Sequence, residues 1–270
     1  MTRRTPVAVG LTLPLLLAAP ILAVDGREII RQAQVRNGLS TWRDRQSRVV
    51  LETFEKGAGR RREAEVFEQT SPRGTHRTLF EFSGTTNDLA TRLLHVSPRG
   101  EPDTYWLWSA AAHRVRRLGG NAGGSAHRDE IFTGTDMSYR DLELIVRIQQ
   151  WDEDAAPATF EGEEACGEKT CYRVGLTPAR PNEFPLTRYR LWYERDDLLL
   201  RRVEFYKDAD ALERISCTDY FASGRFMTPR RCEIEHLKTG VRAVITFEEV
   251  AYDTGVPDDV FSPSHLEEGR

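Results

Sequence analysis

Apolar residues recur along this chain at two spacings, and most of the chain follows the shorter one. From Ser47 onward the period is two. In Arg48-Val49-Val50-Leu51-Glu52-Thr53-Phe54 both faces carry apolar residues. From Arg61 to Gln69, Ala64 and Val66 fall on one side and Glu63, Glu65 and Phe67 on the other. Thr75 to Ser83 sets His76, Thr78, Phe80 and Phe82 on a common face. Alternation of this kind predicts half-buried strands. Strands over Leu93–Val96 and Thr104–Ser109 follow, joined by a turn at Pro98-Arg99-Gly100. After residue 159 the rhythm resumes near 171–176, 187–194, 198–207, 212–221, 226–237 and 241–252. The breaks carry turn chemistry, as in Asp196-Asp197, Asp208-Ala209-Asp210 and Lys238-Thr239-Gly240. About ten strands at hairpin spacing predict a large antiparallel sheet or an incomplete barrel, mainly β with a few helices.

Three stretches leave that rhythm. Thr2-Arg3-Arg4 precedes an apolar run from Val7 to Val24, broken by Thr12, Pro14 and Pro20. Basic, apolar, then small is the order of a secretory signal peptide, with cleavage expected after Ala23. The competing reading, a membrane anchor, needs roughly 20 unbroken apolar residues, and two prolines argue against it. No cysteine ends the run, so no acyl anchor is expected there. Residues 1–23 are therefore expected to be removed, leaving 24–270 as one exported, soluble domain.

The second stretch is a short helix opened by Asp25-Gly26-Arg27-Glu28, with Asp25 as cap, Ile29, Ile30 and Ala33 on its apolar side, and an end near Asn37-Gly38. The third follows the glycine-rich Leu118–Ser125. There Ser138 and Asp141 match a capping box, and Leu142, Leu144, Ile145 and Ile148 make an apolar stripe. Such a helix either covers an open sheet as a lid hinged on the glycine loop or plugs its core permanently. Both readings bury the same surface and differ only in mobility.

Four cysteines add staples. Cys166 and Cys171 flank a hairpin-length turn, and Cys217 and Cys232 are symmetric about Gly224-Arg225. A hairpin turning there sets the second pair directly opposite each other, and glycine at the first loop position suits a II′ turn. In an exported chain this predicts disulfides 166–171 and 217–232. Metal binding is the alternative, but the spacing is wide and no His-Cys cluster accompanies it.

Charge excludes a nucleic-acid partner. The chain has 38 basic and 42 acidic residues, and its arginines are scattered along the strands. Catalytic patterns are equally lacking. His76, His95, His113, His127, His236 and His265 form no H-x-x-x-H pair, and there is no G-x-S-x-G elbow or P-loop. Asp136 and Asp141 read as turn and cap rather than a carboxylate pair, and Glu163-Glu164 and Asp258-Asp259 as solvated loops. Trp106 and Trp108 share one strand face, where core or rim packing is the default over sugar or lipid stacking. No enzyme activity and no cofactor are expected.

Two blocks carry a resemblance. Tyr105-Trp106-Leu107-Trp108, followed by Arg114-Val115-Arg116-Arg117-Leu118 and Phe132-x-Gly134-Thr135-Asp136-x-Ser138-Tyr139-x-Asp141-Leu142, resembles the bacterial outer-membrane lipoprotein-sorting proteins. Val256–Pro263 is similar to that family's close. The sequence departs from the family pattern at Ser109-Ala110-Ala111-Ala112, Met137 and Arg140. The resemblance implies a fold like the carriers LolA and LolB: an unclosed antiparallel barrel, helices across its mouth, and an apolar cavity for acyl chains. Phe54, Phe80, Phe82, Leu107, Ile145, Leu191, Phe205 and Phe247 are candidate lining residues, each also readable as ordinary core. Met137, Tyr139 and Leu142 are lid candidates, and Arg48 is either the strand arginine that holds the lid or, as its position favours, an exposed surface arginine. The implied partners are lipoprotein acyl chains or lipid. An RND-type exporter or a lipoprotein-release complex is the implied membrane partner. A non-catalytic adaptor of such an exporter is the alternative, and a monomer is expected.

Overall fold

In the computed structural model the chain is described over residues 24–37, 41–55, 58–83, 91–99, 101–109, 112–119, 151, 153–179 and 186–268. Helix α1 (Gly26–Asn37) opens the chain where the sequence places it. The Asp25 carboxylate accepts the Arg27 amide at 2.9 Å, which satisfies one of the free N–H groups of the first turn. Ile29, Ile30 and Ala33 are buried. At the other end the Asn37 side chain donates to the Asp197 and Leu198 carbonyls.

Among the described residues thirteen strands follow, rather than about ten. They are β1 (Asp44–Glu55), β2 (Ala58–Thr70), β3 (His76–Ser83), β4 (Thr91–Ser97), β5 (Thr104–Ser109), β6 (Arg114–Gly119), β7 (Ala158–Cys166), β8 (Lys169–Leu176), β9 (Arg188–Glu194), β10 (Leu200–Lys207), β11 (Asp210–Ser223), β12 (Phe226–His236) and β13 (Arg242–Tyr252). All lie in one antiparallel sheet ordered β6-β5-β4-β3-β2-β1-β13-β12-β11-β10-β9-β8-β7. The topology is two meanders, β1–β6 and β7–β13, zipped together by β1 and β13. The sheet does not close, and β6 and β7 are its two ends. Bulges at Arg48/Val49 on the β1–β13 pair, Phe160/Gly162 on β7–β8 and Phe205/Tyr206 on β10–β11 increase local twist and bend the sheet.

Strand β7 was hidden in the sequence by its own bulge. Gly162, at φ +123°, interrupts the alternation, so Glu163-Glu164 carry the pattern of a loop. That reading is corrected: both glutamates lie on β7. Glu164 holds Arg173 at 2.7 Å and Arg202 at 2.5 Å across the outer face of the second meander.

The predicted staples are both formed. Cys217 stands directly opposite Cys232 in the β11–β12 register, and Gly224 at φ +59° turns that hairpin. Cys166 and Cys171 join across the β7–β8 turn. Pro229 explains where β12 leaves β13. It pairs only with Tyr220 of β11, and the β12–β13 ladder begins at Arg231, so the missing N–H costs no ladder bond.

Each face of the sheet has its own core. The inner face carries α1 and the larger cluster, including Val49, Leu51, Val66, Phe82, Leu93, Leu191, Val203 and Phe205. On the outer face of the first meander, Phe67, Leu79 and Leu94 are covered by Val256, Val260, Phe261 and Leu266. These last residues belong to a short 3-10 turn (Asp258–Phe261) and helix α2 (Pro263–Glu268). The Asp44 carboxylate fixes this segment by accepting the Thr254 and Gly255 amides at 2.7 and 3.1 Å.

Helix α1 approaches β7 so closely that only glycine fits at its start. A Cβ on Gly26 would lie 2.7 Å from the Thr159 carbonyl carbon and 2.8 Å from the Phe160 nitrogen, both backbone. Gly26→Ala gains up to about 1 kcal/mol in helix propensity. The clash cannot be relieved by a rotamer, and overpacking of this kind costs about 1–3 kcal/mol. The substitution is therefore expected to lower the urea midpoint. An unchanged or raised midpoint would show that α1 docks less tightly than this.

Candidate functional site on the inner face of the sheet

Register, not sequence proximity, assembles the inner face. Tyr252, Arg45, Glu68, Thr78, His95 and Tyr105 stand opposite one another across β13, β1, β2, β3, β4 and β5. One pair further along the strands lies the row Ser47, Val66, Phe80, Leu93 and Leu107. Beyond it are Val49, Ala64 and Phe82. The face is thus apolar over most of its width and polar along one edge.

The polar edge is built from buried groups. Arg45 and Glu68 form an ion pair and are 8% and 4% exposed. The Arg45 guanidinium also lies 5.4 Å from the Trp42 ring centroid and 5.6 Å from that of Phe247, an aromatic surround that favours a cation. Burial pushes the Glu68 carboxyl up, but the Arg45 charge and the neighbouring His76 outweigh it and hold Glu68 below the usual carboxylate range. Burial pushes the His76 imidazole down, and Glu68, whose Oε1 lies 3.7 Å from Nε2, only partly opposes this. Thr70 Oγ1 is 3.1 Å from His76 Nδ1. His95 Nε2 sits 2.9 Å from Asp103 Oδ2, Ser97 donates to the other oxygen, and the ring stacks on Tyr105 at 4.6 Å. Ser47 Oγ, Thr78 Oγ1, His76 Nε2 and His95 Nδ1 are buried without a hydrogen-bond partner among the described residues. Four such atoms on β1, β3 and β4 mark the place where this face can accept or donate further hydrogen bonds. Among the described residues no group of three His, Cys, Asp or Glu can hold a metal.

Most of the lining candidates come together here. Phe82, Leu191 and Phe205 belong to the inner cluster, and Phe80, Leu107 and Phe247 pack against it, half-buried. The Phe80 and Phe82 rings stack at 6.0 Å. Phe54 does not join them. It alternates with Thr53 and Leu51 and so falls on the outer face, opposite Arg242. Arg48 follows the surface reading rather than the lid-holding one. It lies on the outer face, exposed, and pairs with Glu248 and Glu249. The inward arginine of β1 is Arg45, three residues earlier and of opposite parity. Ile145, Met137, Tyr139 and Leu142, the helix predicted over 138–148, and Asp136 and Asp141 lie outside the described residues. Trp106 and Trp108 sit on the outer face at the rim of the second cluster, under Arg117 and Arg92.

The sequence reading missed the polar row. From Arg45 to Tyr105 its successive members stand 10 to 23 positions apart, Tyr252 comes from the far end of the chain, and only strand register aligns them. The available signal was His76 and Thr78 interrupting the face that Phe80 and Phe82 define.

The model of a family of uncharacterized proteins, DUF1329, matches residues 74–268. The chain belongs to this family. A DUF1329 protein from Desulfovibrio piger shares 21% identity and superposes with a TM-score of 0.77, covering 90% of this chain and 99% of the other. A domain named for outer membrane lipoprotein sorting, from Vibrio parahaemolyticus, gives 0.76 at 18% identity, over 90% and 98%. A LolA superfamily protein from Nitrosomonas europaea gives 0.60 at 14% identity, over 89% and 98%. The fold of this DUF1329 chain is therefore LolA-like. No curated protein matches it. Among the described residues no helix is long and apolar enough to cross a membrane.

Proposed function

We propose that this DUF1329 protein is a periplasmic, non-catalytic carrier that shields the acyl chains of a lipoprotein or lipid against the inner face of its sheet. The observation that carries this reading is the composition of that face. Val66, Phe80, Phe82, Leu93 and Leu107 form a continuous apolar surface on the first meander. Helix α1 packs on β7, β8 and β12, in the other meander. Water exposure costs an acyl chain about 0.8 kcal/mol per CH₂, so a carrier must offer apolar surface on this scale. In this reading the chain tails lie along the apolar rows. The open hydroxyls and imidazole nitrogens of the Thr78–His95 edge meet the polar end. Residues 1–23 act as a cleaved export signal, the two disulfides suit an oxidising compartment, and residues 24–270 work as one monomeric domain. The partner that delivers or receives cargo is then a membrane complex of the exporter or lipoprotein-release kind.

Native mass spectrometry with lipid extraction, on protein purified from periplasm without detergent, tests this. A bound acyl species at near one-to-one occupancy is expected. A clean apo mass with no uptake of added lipid or acylated peptide would replace the carrier by an exporter adaptor with a filled interior.

A further inference from the structure

The chain is acidic overall, yet residues 104–128 contain Arg114, Arg116, Arg117 and Arg128, with His113 and His127, and no aspartate or glutamate. Three of these arginines lie on β6, which ends the sheet and, among the described residues, pairs only with β5. All three are exposed. Arg114 and Arg116 project from the inner side and Arg117 from the outer side, opposite Ser109, Leu107 and Trp106 respectively. Across the second meander many arginines face a carboxylate: Arg173 and Arg190 face Glu161, Arg202 faces Glu164, Arg214 faces Glu204 and Arg201 faces Glu194. Among the described residues Arg114, Arg116 and Arg117 make no ion pair. Arg117 instead lies 5.4 Å from the Trp106 ring centroid. Beside it, Trp106, Trp108 and Val115 remain half-exposed at the rim of the outer cluster.

From this placement we infer that the β6 edge is a docking surface for an anionic phospholipid bilayer. Uncompensated guanidinium groups seek phosphate, and half-exposed indoles beside them suit the headgroup layer, where one side is apolar and the other wet. A protein strand adding to the same edge is disfavoured. Arginines on both sides of β6 blunt strand addition, which needs a flat edge and alternating pockets. Docking through β6 is independent of whether the inner face carries lipid.

The test is co-sedimentation of the full chain with vesicles of phosphatidylglycerol or of phosphatidylcholine, at low and at high salt. The protein is expected to bind the anionic vesicles at low salt and to be released at high salt. Each arginine near an anionic surface contributes about fivefold to partitioning. Arg114→Glu/Arg116→Glu/Arg117→Glu is therefore expected to weaken binding on the order of a hundredfold. The charge-matched Arg73→Glu/Arg225→Glu/Arg230→Glu, at exposed sites away from β6, should retain most of it. Binding through residues 1–24, basic at Arg3 and Arg4 and apolar from Val7, is common to every variant and would make the two triple variants bind equally. Charge-blind binding, equal binding by the two triple variants, or no binding by the parent chain each overturns the inference. Loss of a protein partner in the β6 variant, without vesicle binding by the parent, overturns it in favour of a protein-docking edge.

Discussion

Glu68→Ala is expected to cost about 3–5 kcal/mol of folding stability, because it leaves the Arg45 guanidinium buried and uncompensated. Arg45 is 8% exposed and Glu68 supplies its counter-charge, while Trp42, Phe247 and Tyr252 surround it with rings rather than water. The double variant Arg45→Met/Glu68→Leu removes both charges and is expected to recover most of the loss, since apolar replacement of a buried pair is often close to neutral. Urea unfolding of the three proteins at pH 7 is the measurement. A double variant no more stable than Glu68→Ala would mean that shape, not the stranded charge, sets the cost.

The same cluster fixes an acid limb of stability. His76 has a folded pKa below its unfolded value near 6.5, so the folded state binds fewer protons there. Its contribution is present in full above about pH 6.5 and is lost as pH falls toward the folded value. Glu68 is also depressed, so its contribution is present above about 4.3 and is lost below that. Wild-type stability should therefore decline in two stages on acidification. His76→Gln should flatten the upper stage, and Glu68→Ala the lower.

What the sequence shows of this architecture follows from which signals are local. Strand period, the Asp25 cap and the symmetric cysteines about Gly224-Arg225 each fit within about fifteen residues, and each element forms as expected. Side-chain parity is local too, yet it misled where two arginines compete. Arg45 and Arg48 flank the same strand start, and only the parity shared by Val49 and Leu51 shows which one points inward. Strands β6 and β7 were harder because each ends the sheet. Charges on β6 and a bulge at Gly162 on β7 mask the alternation that inner strands display. The polar row was least visible. Glu68, Thr78 and His95 are ordinary polar residues in their own strands, and they become a site only when antiparallel register sets them opposite one another.

The two disulfides are expected to contribute unequally, and the larger loss lies with Cys217→Ala/Cys232→Ala. Cross-linking restricts the unfolded chain more when the closed loop is longer. The sequence separations are 15 for Cys217–Cys232 and 5 for Cys166–Cys171. Loop-entropy arithmetic gives about 3 kcal/mol for the first and about 2 for the second. Position widens the gap. Cys232 packs in the inner cluster and stands opposite Ile245, next to Arg231, where β12 first meets β13. Past that point the hairpin from Thr218 to Pro229 has no ladder pairing with another described strand and reaches β13 only through side chains such as Ser223 and Thr228, so the 217–232 link holds its base where the neighbouring ladder ends. Urea unfolding of wild type and both double variants, with and without reductant, separates the terms. Reductant should lower the wild-type midpoint and raise its m-value, because the freed unfolded chain exposes more surface. A variant lacking all four cysteines should not respond. If the 166–171 variant proves the weaker of the two, native-state packing around Cys171, which is fully buried, outweighs loop entropy. The staple would then act through the folded β7–β8 edge rather than through the unfolded chain.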